Sequence, residues 1–208
     1  MTNSAEIDEI DLLVNRARIA QKKFEKNGSQ QLFDLACQAV GWALMKPEQN
    51  QRLAEMAVRE TGLGNVPDKI KKNHNKTLGL LRDIKNVKSF GHVSEDKEMG
   101  ISTYFRPKGV VAAIVPSTNP LATPVNNIIN ALKCGNSIIV APSPKGAQPF
   151  KELLSLIHEN LSMIGLDQDL VQMVPVPPSK GKTNRLMQLA DMLVVTGSQN
   201  NVKAGYSS

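Results

Sequence analysis

The chain has 208 residues, 41% of them hydrophobic, and carries 25 Lys and Arg against 19 Asp and Glu, for a net charge of +6. That length can bury a real core in one large or two small domains, and no apolar run reaches the roughly 18 residues needed to cross a membrane. The polar, acidic start MTNSAEIDEID does not read as a signal peptide. Cys37 and Cys134 are far apart, which fits free thiols in a cytoplasmic protein, and His74, His92 and His158 share no ligand-like spacing, so no metal site is expected.

Residues 1–89 read as a helical region. Ile10, Leu13, Val14 and Ala17 lie at helical spacing in a first helix that ends near Asn27-Gly28. Ser29 suits the cap of a second, through Leu32, Leu35, Ala36, Ala39 and Val40. Pro47 suits the first turn of a third that closes near Gly62, and a fourth runs from Pro67 to Asp83. Phe33 and Trp42 are expected to be packing residues. The stretch from Lys69 to Lys88 supplies much of the positive charge. It reads as a solvated helix face, because it holds no aromatic platform for a nucleic-acid base.

The pattern changes at residues 90–107. Phe90 to Ser94 and Ile101 to Phe105 flank a charged tip and predict a hairpin or paired extended arms. From residue 108 onward strands and helices alternate. Val110 to Val115 is a continuous β-branched run that stops at Pro116-Ser117-Thr118-Asn119-Pro120. A helix from Thr123 to Lys133 ends at Gly135-Asn136, and a second buried strand, Ser137 to Ala141, leads to Pro142-Ser143-Pro144-Lys145-Gly146. A further helix, a third strand from Leu170 to Val176, a short helix from Lys182 to Leu189 and a fourth strand, Met192 to Thr196, complete the series. The predicted fold class is therefore α/β, a helical N-terminal region followed by a Rossmann-like parallel sheet.

Ligands in such sheets bind at the carboxyl ends of the strands. Three loops fall there. The first offers Ser117, Thr118 and Asn119, either as ligand contacts or as groups that satisfy their own turn. The second offers Lys145 to a phosphate or ribose, and the third, Thr196-Gly197-Ser198, opens a helix where an anion is favoured. No G-x-G-x-x-G follows the first strand, which argues against an ordinary Rossmann dehydrogenase.

The ordered set RPKGVVAAIVPSTNPLATPVNNIINALKCGNSIIVAPSPKG, VQMVPVPP and LVVTGSQNNVKAGYSS resembles the aldehyde dehydrogenase superfamily, and its PSTNP, APSPKG and KAGYSS forms resemble the coenzyme-A-acylating branch. The resemblance implies NAD or NADP as cofactor, coenzyme A as co-substrate, and conversion of an aldehyde to an acyl-CoA or the reverse. It places Pro116, Ser117, Ala141, Pro142, Ser143, Pro144, Lys145, Gly197 and Ser198 around the nucleotide, and Asn119 or Thr118 at the oxyanion. The two oxyanion candidates remain open because the hydrolytic branch's P-W-N aligns its Asn with Thr118. Ala141 and Pro144 stand where that branch's K-P-x-E holds the ribose, leaving NAD against NADP open. Family members are more than twice as long, so the nucleophilic cysteine is expected in a second domain beyond Ser208, and the chain alone is expected to be inactive. Residues 108–208 would form an incomplete dinucleotide-binding domain, and the hairpin an oligomerisation arm of a homo-oligomer. Neither a nucleic acid nor a membrane is an expected partner. The alternative is a non-catalytic nucleotide-binding or subunit-association module.

Overall fold

The computed structural model describes residues 4–208. Four helices lead, α1 (Ser4–Lys26), α2 (Gln30–Met45), α3 (Pro47–Thr61) and α4 (Val66–Ile84). Their ends follow from local chemistry. The Ser29 hydroxyl accepts the Leu32 N–H at 3.1 Å to cap α2, and Asn65 accepts the Asp68 N–H at 2.9 Å to cap α4. Gly62 closes α3 at a φ of 67°, the left-handed turn that glycine adopts without strain. An antiparallel hairpin follows, β1 (Gly91–Asp96) and β2 (Ile101–Phe105). Every residue of β2 is exposed.

The remainder alternates: β3 (Val110–Val115), α5 (Ala122–Lys133), β4 (Ser137–Pro142), α6 (Ala147–Met163), β5 (Val171–Met173), α7 (Lys180–Leu189), β6 (Met192–Val195) and α8 (Gln199–Tyr206). The four strands β3 to β6 form one parallel sheet in the order β5-β4-β3-β6. The chain thus builds outward from β3 to β5, then returns across β3 to lay down β6. That reversal opens a crevice at the carboxyl end of β3. This is the α/β architecture that the alternating pattern predicts.

Successive β3 side chains enter opposite cores. Val111, Ala113 and Val115 pack with α2, α3, α5 and α6, around buried Phe33, Phe150 and Ile128. Val110 and Ala112 pack with α1 and α7, around Ile10, Val14, Ile139 and Leu186. The N-terminal helices therefore share their cores with the sheet.

Helix α1 is tied to the distant C-terminal elements by polar contacts as well. Asp11 accepts two hydrogen bonds from the Arg185 guanidinium, both at 2.7 Å, and Gln172 donates to the Leu13 carbonyl at 3.2 Å. Asp191 Oδ2 accepts from Arg18 at 2.7 Å and from the Val110 N–H at 2.7 Å. Gly109 enters β3 at a φ of 129°, and a Cβ there would sit 2.2 Å from that same Asp191 oxygen. The entry to β3 is thus fixed by a glycine and a carboxylate.

Two sequence expectations are corrected. The third strand was expected over Leu170 to Val176, but β5 is confined to Val171–Met173. Leu170 lies in a short 3-10 turn capped by Asp167, and the ladder's last bond is from the Val174 N–H to Val140 O, before Pro175. Trp42 was expected to be a packing residue, yet it is 53% exposed, whereas Phe33 is fully buried. Trp42 lies in a shallow apolar groove with Leu35 and Met163 on the outer side of α2 and α6.

Candidate functional site

The three loops predicted to matter lie side by side at the carboxyl edge of the sheet. The pairing of β3 with β4 extends beyond Val115 and Pro142, because the Ser143 N–H donates to Val115 O at 3.2 Å. On the other flank the Thr196 N–H donates to Ile114 O at 2.9 Å, aligning the third loop. Gly146 lets the second loop press against the first. A Cβ at that position would lie 3.0 Å from Pro120 Cβ and 3.1 Å from Ser143 Oγ.

Between these loops and α7 is a cavity of about 740 Å³. Of the nine residues predicted at the nucleotide, Pro116, Ser117, Ala141, Pro142, Ser143, Pro144, Gly197 and Ser198 line it. Lys145 does not. It sits in the 3-10 turn Pro144–Gly146 with its side chain exposed. Thr118 and Asn119 do not line it either. They form the turn after β3, where Thr118 is exposed and Asn119 half-buried.

The remaining wall comes from one face of α7, with Ser179, Lys180, Thr183, Asn184 and Met187, and from Asn200 and Asn201 at the start of α8. Sequence reasoning passed over these residues. The signal was present in the pairs 179/180 and 183/184 followed by 187, the spacing of one helical face opening directly after a strand-end loop. Ser179 caps α7 by accepting the Lys182 N–H at 3.1 Å, and Ser198 caps α8 by accepting the Asn201 N–H at 3.4 Å.

The wall suits a nucleotide. The Ser143 hydroxyl is buried at its edge with no hydrogen-bond partner, so its bonding capacity is unspent. At Gly197 a Cβ would lie 2.9 Å from Asn201 Nδ2, so a side chain there would crowd the third loop against the start of α8. A volume in this range is that of pockets which bury cofactors.

The sequence profile of the aldehyde dehydrogenase family matches residues 2–204. The chain belongs to that family. An acylating sulfoacetaldehyde dehydrogenase of Cupriavidus necator is 54% identical over 203 residues, covering 98% of this chain and 41% of that protein. The structure of an acetylating aldehyde dehydrogenase from Geobacillus thermoglucosidasius superposes with a TM-score of 0.91 at 34% identity, covering 98% of this chain and 45% of that one. The propionaldehyde dehydrogenase of Rhodopseudomonas palustris, solved with bound CoA and an acylated cysteine, gives a TM-score of 0.81 at 31% identity, over 95% of this chain and 44% of its own. The chain spans less than half the length of these relatives.

Within this aldehyde dehydrogenase chain neither thiol borders the cavity. Cys37 is 2% exposed on α2 and donates to the Ile129 carbonyl at 3.3 Å. Burial pushes its pKa up to about 12, against the opposing pull of the Lys133 cation. Cys134 is half-buried at the end of α5, and burial raises its pKa as well. Both are protonated at neutral pH, the opposite of an activated nucleophile.

Proposed function

We propose that this chain is the nucleotide-binding portion of an NAD(P)-dependent, CoA-acylating aldehyde dehydrogenase, which converts aldehyde, CoA and NAD(P)+ to acyl-CoA and NAD(P)H. The observation that carries the reading is the cavity at the carboxyl ends of parallel strands, walled by the loops after β3, β4 and β6. Gly197 and Ser198 would lie near the diphosphate at the start of α8, and Ser117 and Ser143 would border the nucleotide. A nicotinamide coenzyme held by these loops would supply the hydride acceptor for oxidation of the aldehyde. Thr118 or Asn119 supplies the oxyanion donor from the turn after β3.

Neither Cys37 nor Cys134 lies in the cavity wall, so the thiolate that attacks the aldehyde is assigned to sequence outside these 208 residues. The identity to the C. necator enzyme makes sulfoacetaldehyde the first substrate to test. The hairpin, with Met99, Ile101, Tyr104 and Phe105 all exposed, is assigned to subunit association.

The test has two parts. Equilibrium titration of the chain with NAD and NADP is expected to show saturable binding at one shared site. An assay with sulfoacetaldehyde, CoA and either coenzyme is expected to yield no reduced coenzyme. Absence of nucleotide binding by a folded chain would overturn the first assignment. Turnover that survives replacement of both Cys37 and Cys134 by Ala would overturn the second.

A further inference from the structure

Helix α2 packs Phe33, Ala36, Val40 and Leu44 into the core, yet its outward face is apolar too. Leu35, Ala39 and Trp42 follow one another there at helical spacing. With Leu81 of α4 and Met163 of α6, which is 84% exposed, they line a groove of about 440 Å³. Monomer surfaces rarely carry contiguous apolar patches, and Trp and Met are residues that contact surfaces favour. The groove does not stop at Leu35. Gln38 and Leu81 are shared with a second cavity, of about 590 Å³, at the Asp34 end of α2. Its walls include Leu78 and Ile84 and also three cations, Arg82, Lys85 and Lys133. Lys133 is buried and paired with Asp34. Arg82 pairs with its chain neighbour Asp83, both largely exposed, a contact worth little and easily exchanged. Lys85 is exposed beside it.

The two cavities form one trough, apolar toward Met45 and cationic toward Asp34. At 1.5 Å per residue, α2 runs about 17 Å between those residues, roughly three helical turns. The lining residues belong to helices and to the residues that directly follow them, so recognition there goes through side chains, as when a helix lies in a groove. We propose that this trough docks an amphipathic helix of a partner protein. Apolar side chains of that helix lie over Leu35, Trp42 and Met163, and acidic residues at one end of it meet Arg82 and Lys85. Complementary charge at the basic end fixes the direction in which the helix lies. The trough shares no lining residue with the cavity at the carboxyl edge of the sheet, so a docked helix leaves that cavity's wall untouched.

Trp42 is the chain's one tryptophan, so its fluorescence reports on the trough directly. The probes are synthetic helices of about 16 residues with leucines along one face and glutamates in either the first or the last turn, and their counterparts with lysine in place of glutamate. One of the acidic peptides is expected to shift Trp42 emission to the blue with saturation, and to bind at least about tenfold tighter than its lysine counterpart. Replacing both cations, Arg82→Glu with Lys85→Glu, is expected to reverse that order, and Met163→Glu to weaken binding of the acidic peptide at least about tenfold. No blue shift with either acidic peptide, or equal affinity for acidic and basic versions, would overturn the proposal. A blue shift that grows with the concentration of the chain alone would make a second copy the occupant. A shift with phosphatidylserine vesicles but with no peptide would make the trough a membrane contact. Either result would overturn the partner helix.

Discussion

A resident thiol activated for attack would alkylate readily, and Cys37 is expected to do the reverse. Its pKa lies near 12 against an ordinary 9.0. At pH 8 a thiol of pKa 9.0 is about one-tenth ionised, whereas one near 12 is ionised to about one part in ten thousand. Ionisation alone therefore slows Cys37 about a thousandfold, and its burial to 2% exposure slows it further. Iodoacetamide labelling followed by peptide mass spectrometry measures this, with the urea-unfolded chain as reference. Labelling of Cys37 within about tenfold of the unfolded rate would refute the argument. A stability effect is linked to the same group. The unfolded thiol ionises from about pH 9 upward, while the folded one holds its proton to about 12. This contribution is whole below pH 9 and is lost as pH rises through that window, at about 1.4 kcal/mol per pH unit. Cys37→Ala should remove that slope. An identical pH dependence in the variant would show that the thiol is not held protonated.

Gly109→Ala combines a left-handed φ of 129° with a Cβ 2.2 Å from Asp191 Oδ2. Backbone strain of about 1–3 kcal/mol, plus about 1–3 kcal/mol for the Val110 N–H losing its acceptor, should appear as a lower urea midpoint, and a loss under about 1 kcal/mol would contradict the role given to Asp191. Phe33→Ala should cost about 3–5 kcal/mol and Trp42→Ser about 0.5 kcal/mol or less, because one ring is fully buried and the other 53% exposed; similar costs in chemical denaturation would put Trp42 back in the core. Gly197→Val should weaken nucleotide binding at least about tenfold by calorimetry with the unfolding midpoint kept, since the atom it meets is the movable amide of Asn201; unchanged affinity would take the third loop out of the site.

Much of the fold is legible because its signals are local. Ser29, Pro47, Gly62 and Gly135 each mark a helix boundary by their own backbone preference, and Val110 to Val115 can be buried on both faces only in a covered sheet. The length of β5 is not local. Leu170 to Val176 is apolar enough for a full strand, but pairing with β4 spans only Val171 to Met173, and a 3-10 turn takes the residue before it. Trp42 misleads for a related reason. It occupies an apolar helix, yet its direction depends on how α2 sits against α6. At the site, the loops after β3, β4 and β6 were visible as breaks in apolar runs. The α7 face was not, because Lys180, Thr183 and Asn184 read as an ordinary polar helix surface until the return crossover brings them over the sheet edge. Lys145 follows the wall residue Pro144 in the sequence, but the 3-10 turn leaves it outside the cavity lining.

The clasp between α1 and the later elements also orders events during synthesis. Ile10, Leu13, Val14 and Ala17 leave the ribosome well before the residues that complete their burial, because the surfaces that cover them include Val174 and Leu186, and the ion pairs that anchor the helix need Arg185 and Asp191. Until translation has delivered those residues, α1 presents an apolar stripe with nothing to cover it. The nascent chain therefore passes through a long interval of exposed hydrophobic surface, the circumstance in which holding chaperones act and in which a slow or paused ribosome favours aggregation.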